Sequence, residues 1–294
     1  MNTSKEKILF VINPKSGIKR HNNIIDFIKD NLDYNRFNPD FVFTERADHA
    51  TELAKTGSAD NVDIVVAVGG DGTVREVAKG LVNSKTKLAI ITFGSGNGFA
   101  FHFNIPNNTS KAIEIINARK SLLIDTAKIN GEYFGNIAGI GFDAKIAYEF
   151  SNYKKRGLYS YIRIIFREFF KYKKQTYKFE MDNKSFTKKA FLVSIANGSQ
   201  FGNKAYINPE ASVTDGLLEV CILSNAPIIS MPFLIFKLLN KRLHKSKYLE
   251  VYKTSKAVIS TNNLQIAHID GDPFETREEL KITINPSSLN IIVP

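Results

Sequence analysis

Three short loops concentrate the residue types that bind anions: Asn13-Pro14-Lys15-Ser16-Gly17, Gly69-Gly70-Asp71-Gly72-Thr73 and Gly94-Ser95-Gly96-Asn97-Gly98. Each follows a run rich in β-branched residues and so reads as the turn after a strand. Glycine lets backbone N–H groups approach an anion closely, and a helix beginning near Thr73 adds a favourable dipole for phosphate. Together the loops predict a polyphosphate cradle with Asp71 inside it. Neither common nucleotide fingerprint is present. No loop carries Gly-Lys-Ser/Thr, and the third glycine of a dinucleotide turn beginning at Gly94 would fall on Phe99. Two further turns carry carboxylates, Asp215-Gly216 and Asp270-Gly271-Asp272.

The elements that must position these loops alternate between two periods. From Lys7 to about Ser121, strand candidates at Lys7 to Ile12, Asp40 to Thr44, Val62 to Val68 and Leu88 to Phe93 are separated by helix candidates at about 21–32, 49–57, 73–84 and 109–120. That alternation is the pattern of an open parallel α/β sheet, whose loops at the carboxyl ends of the strands gather along one edge. The clearest helix carries Val74, Val77, Ala78, Leu81 and Val82 on one face. After Leu122 the period changes. Asn130-Gly131 reads as a hairpin turn, Tyr177, Phe179 and Met181 alternate before the turn-prone Asp182-Asn183, and Phe191, Val193 and Ile195 alternate after it. With further strands at Gly216 to Leu223, Lys256 to Thr261, Leu264 to Ile269 and Leu280 to Ile284, the economical solution is an antiparallel sandwich or barrel with helical insertions at about 157–173 and 228–243. The expected domains are residues 1–122 and 123–294, with the extreme C-terminus packing back on the first.

Composition narrows the setting. The 294 residues are 43% hydrophobic, enough for substantial cores. The single cysteine, Cys221, excludes an intrachain disulfide, and no Cys/His cluster has zinc spacing. The apolar runs at Ile8 to Ile12 and Pro227 to Phe236 are too short for a signal peptide or for the roughly 20 residues of a spanning helix. A cytoplasmic protein is the expectation. A net charge of +11 implies attraction to polyanions without naming one. His21, His102, His244 and His268 have no spacing that suggests a triad or metal site.

The motif Gly69 to Thr73 with Glu76 resembles the nucleotide motif of the diacylglycerol kinase catalytic domain, which sphingosine and ceramide kinases share. NAD kinases and phosphofructokinases have similar glycine-aspartate motifs, and the order of the remaining motifs gives the resemblance its specificity. Asn13 to Gly17 matches the family's first phosphate loop, and Thr44 with His49-Ala50 matches the segment that follows. Later matches are Gly139-Ile140-Gly141-Phe142-Asp143-Ala144, Thr214 to Glu219 and Asp270-Gly271-Asp272. The resemblance implies an α/β N-terminal domain of NAD kinase and diacylglycerol kinase type, followed by a mainly antiparallel β-sandwich. It also implies an ATP-dependent, Mg²⁺-dependent lipid kinase.

By that resemblance Asn13, Pro14, Ser16, Gly17, Thr44, Gly69, Gly70, Asp71, Gly72, Thr73, Glu76, Ser95 and Asn97 line the ATP site, and Asp71 helps hold Mg²⁺-ATP. Asp143 touches the lipid. Ser212, Asp215 and Leu217 match a second, mainly structural metal site, although without the family Asp215 reads as a plain Asp-Gly turn. Asp272 stands where the family has a glutamate and is the expected general base, one methylene shorter. The third loop departs as well, with Ser95 for the threonine and Gly98 for the aspartate of many diacylglycerol kinases. A Ser-Gly-Asn loop is similar to the sphingosine and ceramide kinase branch, so diacylglycerol-like and sphingoid acceptors both stay open.

The partner expected is a lipid substrate at an anionic membrane surface. Lys154 to Lys174 and Met231 to Lys247 interleave cations with aromatic and aliphatic residues, as an interfacial helix does. Packing of those apolar faces on the sandwich is the competing reading. Nucleic acid is set aside because it leaves the glycine loops unexplained. A catalytically silent nucleotide-binding relative and an NAD kinase remain as alternatives, and the choice between monomer and homodimer is open.

Overall fold

A computed structural model describes residues 5–17, 23–94, 96–153, 158–182, 184–202, 204–224, 226–261 and 263–294. His21, Ser95, Asn183 and the basic stretch 154–156, all singled out above, lie outside these described residues. The chain divides into two compact units, Met1–Ile124 with Ser287–Pro294, and Asp125–Pro286.

The first unit runs β1 (Glu6–Ile12), α1 (Ile24–Asn31), β2 (Phe37–Phe43), α2 (His49–Ala59), β3 (Ile64–Gly69), α3 (Asp71–Leu81), β4 (Lys87–Thr92), α4 (Gly98–His102) and α5 (Thr109–Ala118). The strands are parallel in the order β2-β1-β3-β4. Every residue of β3 is buried, as expected for a parallel strand covered on both faces. The order reverses between β1 and β3, the topological switch point where ligands of such sheets bind. On α3, Val74, Val77, Ala78 and Leu81 are buried as the spacing predicts, and Val82 is the C-cap. The helix packs closely on α2 at Gly80, where an added Cβ would lie 2.7 Å from the Thr51 carbonyl oxygen.

The second unit contains β5 (Ser121–Ile129, whose first residues belong to the first unit), β6 (Glu132–Phe134), β7 (Ile137–Gly141), α6 (Phe142–Ser151), α7 (Leu158–Phe169), β8 (Gln175–Met181), β9 (Lys184–Ala190) and β10 (Leu192–Ala196). It continues with β11 (Leu218–Leu223), α8 (Met231–Leu239), β12 (Leu249–Thr254), β13 (Lys256–Ser260), β14 (Gln265–Ile269), β15 (Asp272–Thr276) and β16 (Leu280–Ile292), the last of which ends in the first unit. One antiparallel sheet has the order β12-β11-β10-β7-β14-β15, and the other joins β16, β13, β8 and β9, with β5 paired to β16 and β6 to β5. Phe134, Ile140, Tyr177, Phe179, Val193, Val220 and Ile259 fill the sandwich core. Asn130 and Gly131 take positive φ in the β5–β6 turn, as the Asn-Gly signal predicts.

Elements β7, α6, β12 and β15 have no counterpart in the sequence reading, and two further elements depart from it for identifiable physical reasons. Leu192–Ala196 is buried throughout rather than alternating, because α6, α7 and α8 cover the outer face of β10 and β11 in a second cluster around Phe142, Ile165, Phe169 and Leu234. Lys184–Ala190 is a mostly polar strand whose apolar signal is only Phe186 and Ala190; its lysines suit an edge position, where charge discourages pairing with another chain. Among the described residues no helix is long and apolar enough to cross a membrane.

Glu219 on β11 is buried inside this unit, with Lys253 Nζ at 3.6 Å and the Asp215 carboxylate close to that same ammonium. Burial pushes the Glu219 carboxyl up to about 7, partly offset by Lys253. The folded state therefore holds a proton that the unfolded chain releases, and this contribution to stability falls as pH rises from about 4.5 to about 7. Glu219→Gln should flatten that part of the Tm-versus-pH curve; an unchanged slope would remove Glu219 as its source. Gly80→Ala should lower stability by about 1–3 kcal/mol in thermal unfolding, since the new methyl meets backbone that cannot step aside.

Candidate active site

The three glycine loops are bonded to one another within the first unit. Asn13 Nδ2 donates to Thr73 Oγ1 at 3.0 Å, and Asn13 N–H donates to the Val68 carbonyl, so the first loop is tied to the second. The Asn97 N–H donates to Asp71 Oδ2 at 2.7 Å, tying the second loop to the third. Gly70 and Gly94 meet backbone to backbone: a Cβ on Gly94 would lie 2.8 Å from Gly70 Cα, so a side chain there would part the loops. The Thr44 N–H donates to the Ile12 carbonyl, bringing the end of β2 beside the first loop. The Ser16 hydroxyl donates to the Asn13 carbonyl, and Pro14 lies exposed in the same turn. Glu76 accepts the Ala50 N–H at 3.2 Å and caps the start of α2.

Two observations fit an anionic ligand here. Helix α3 begins at Gly70 with no side-chain cap, leaving its N-terminal amides and dipole open to a phosphate. At Gly72 an added Cβ would meet nothing within 4 Å among the described residues, so their packing gives no reason for glycine in the first turn. Asn97 is buried, and its Oδ1 has no hydrogen-bond partner among the described residues. A carboxylate in the same turn would repel phosphate directly, and a divalent cation between them removes that repulsion. Asp71 offers the hard oxygen donors such an ion takes.

The second unit carries its own constellation. Asp270 and Gly271 form a two-residue hairpin turn, both at positive φ, from which the exposed Asp272 opens β15. The Asp270 carboxylate accepts the backbone N–H groups of Gly135, Asn136 and Ile137 at 2.9–3.0 Å and fixes that turn. Asp143, buried in the first turn of α6, accepts the Ala144 N–H on Oδ1 and the Ser194 hydroxyl on Oδ2 at 2.7 Å. His268 Nε2 lies 3.3 Å from the same Oδ2. Among the described residues, Asp143 is the one acid lining an otherwise apolar cavity bounded by side chains of α6, α7, α8 and the sheet beneath.

The residues expected at a second metal are arranged differently from a cation cage. Asp215 Oδ2 pairs with Lys253 Nζ at 2.8 Å, Asp215 Oδ1 accepts the Leu217 N–H, and the Ser212 hydroxyl bonds Thr214. As arranged, these groups do not fit a divalent ion, because an ammonium already neutralises the carboxylate. Among the described residues no group of three His, Cys, Asp or Glu side chains could hold a metal.

Sequence reasoning passed over Ser194, His268, Lys253 and Asp125. Asp125 is buried and accepts the Gly216 N–H at 2.7 Å. The usable signal was Gly139 and Gly141 alternating in one apolar run, which marks close approach over one face of a strand.

Residues 7–129 match the diacylglycerol kinase catalytic domain, and residues 136–293 match the YegS C-terminal NAD kinase beta sandwich-like domain. A diacylglycerol kinase of Staphylococcus aureus is 25% identical over 274 residues, covering 91% of this chain and 86% of its own length. Another from that species is 27% identical over 235 residues, covering 78% and 74%. A diacylglycerol kinase structure from Bacillus anthracis has a TM-score of 0.77 at 23% identity, covering 99% of this chain and 98% of its own, a likeness of fold. With both halves matched in order, the chain belongs to the diacylglycerol kinase catalytic-domain family as a kinase-type enzyme with a YegS-type β-sandwich.

Proposed function

We propose that this enzyme transfers the γ-phosphate of ATP to a hydroxyl of a long-chain lipid, diacylglycerol-like or sphingoid. The observation that carries the reading is the clasped trio of glycine loops around the uncapped start of α3, with a glycine at position 72 that packing does not require. Asn13, Thr73 and the loop amides would hold the phosphates, and Asp71 would hold the Mg²⁺ that accompanies them. Bound there, the ion would neutralise charge on the transferring phosphate.

The acceptor side of the proposal rests on the second unit. The apolar cavity suits an alkyl chain, and Asp143 at its wall is the group available to the lipid's polar end. Asp272 would take the hydroxyl proton as that oxygen bonds the γ-phosphorus and the bond to the bridging oxygen of the ADP leaving group breaks. The carboxylate is exposed and stands on a turn fixed by Asp270, which supports the role.

For access to lipid, the outward side of α8 and the turn before it is telling. Ile229, Phe233 and Phe236 are 89%, 56% and 55% exposed, while Met231 and Leu234 of the same stretch are buried. Lys237 lies 4.7 Å over the Phe233 ring, and no acid interrupts Met231 to Lys247. An apolar face ringed by cations suits an anionic bilayer.

The first test is transfer of labelled γ-phosphate from Mg²⁺-ATP into vesicle-embedded diacylglycerol, monoacylglycerol, sphingosine and ceramide. A labelled lipid lost in Asp71→Asn is expected; ATP binding without any labelled lipid would favour a catalytically silent relative, which the shorter Asp272 and Gly98 would explain. Gly72→Ala should weaken ATP binding at least about tenfold, roughly 1.4 kcal/mol, with Tm unchanged or raised. Sedimentation with anionic vesicles should fall in high salt and in Phe233→Ser/Phe236→Ser; equal binding to neutral vesicles would remove the electrostatic part.

A further inference from the structure

Three adjacent strands place Ser194, Gly139 and His268 in one row across the sheet, as the registers Ser194↔Gly139 and His268↔Gly139 record. Asp143 folds over from α6 onto the gap at Gly139. A Cβ on Gly139 would lie 2.1 Å from Asp143 Oδ2 and 2.8 Å from His268 Nε2, so the glycine is the opening through which acid and imidazole meet.

His268 is 3% exposed, and both of its ring nitrogens have partners. The Gly271 N–H donates to Nδ1 at 3.3 Å, which makes Nδ1 the acceptor. The ring proton therefore sits on Nε2 and points to Asp143 Oδ2. One rigid, buried ring thus spans from the acid on the cavity wall to the hairpin turn that presents Asp272. Asp270 fixes the same turn from the other side through three backbone N–H groups.

We propose that His268 is a positioning residue for the transfer: its Nε2–H orients Asp143 toward the lipid's polar end, while its Nδ1 holds the Gly271 turn and so the reach of Asp272. The proposal rests on the lipid kinase reading. It also bears on the missing methylene of Asp272, because a shorter base tolerates less drift of its turn.

The two nitrogens can be separated by substitution. His268→Asn keeps an acceptor near Nδ1 and loses the donor to Asp143; His268→Gln keeps a donor near Nε2 and loses the acceptor for Gly271. With lipid in vesicles and saturating ATP, His268→Asn should raise the lipid KM about tenfold and leave kcat within about threefold. His268→Gln should lower kcat about tenfold and leave lipid KM within about threefold, each change matching one lost hydrogen bond to a charged or buried partner. ATP KM should not move in either variant. Amide hydrogen exchange at Gly271 should quicken in His268→Gln and not in His268→Asn, a readout independent of activity. An active wild type whose two variants lose kcat and KM alike, or lose neither, overturns the proposal. No labelled lipid from the wild type overturns the kinase reading and this role with it, whatever the exchange rates show.

Discussion

Where β1, β3 and β4 end, the chain leaves the hydrogen-bonded ladder, and the backbone amides of the following loops must find other partners. The first unit meets that constraint with short polar side chains drawn from the loops themselves. Asp71 takes the Asn97 N–H, Asn13 reaches Thr73, and the Asn97 side-chain amide returns to the Gly94 carbonyl. Two of these bonds run between loops and the third closes the last loop on itself, so together they hold an edge of backbone in fixed relation while leaving the start of α3 uncapped. An edge of this kind, with no dedicated lysine loop, is what the proposed phosphate site would use.

The second unit meets the same constraint with carboxylates. Asp270 gathers three N–H groups from the β6–β7 connection, Asp125 holds Gly216, and Asp143 holds the first turn of α6 with Ser194. A carboxylate withdrawn from water is costly unless it is hydrogen-bonded, and the buried Asp125 and Asp143 and the half-buried Asp270 all are. Glu219 stands apart: it is buried, with its nearest ammonium beyond hydrogen-bond distance, and its carboxyl is correspondingly pushed up to about 7. The contrast separates carboxylates that organise turns from one whose burial is offset mainly by a lysine it shares with Asp215.

The covering helices explain how one sheet supports both a core and a cavity. The inner faces of β7, β10 and β11 fill the sandwich, while their outer faces meet α6, α7 and α8. Among the described residues, the space left between helices and sheet is apolar apart from Asp143. The same helices expose apolar residues outward, so their sequences are hydrophobic on more than one side. That double exposure is why neither packing nor membrane contact alone accounts for residues such as Phe233 and Leu234, three-tenths of a turn apart on one helix yet in different environments.

Much of this was legible in the sequence. Alternating periods gave the parallel sheet and the antiparallel sandwich, Asn130-Gly131 gave its hairpin, and the glycine loops fell after strands as read, because these are local consequences of backbone geometry. The polar strand Lys184–Ala190 and the fully buried Leu192–Ala196 were not legible, since an edge position and a covering helix are properties of neighbours distant in the chain. The same holds for chemistry. The family motifs in the sequence singled out Asp71, Asp143 and Asp272 as candidates. Only the tertiary structure gave His268 two partners, set Ser194 beside Asp143 and placed Lys253 on Asp215, because strand register and a helix crossing over Gly139 decide which side chains meet.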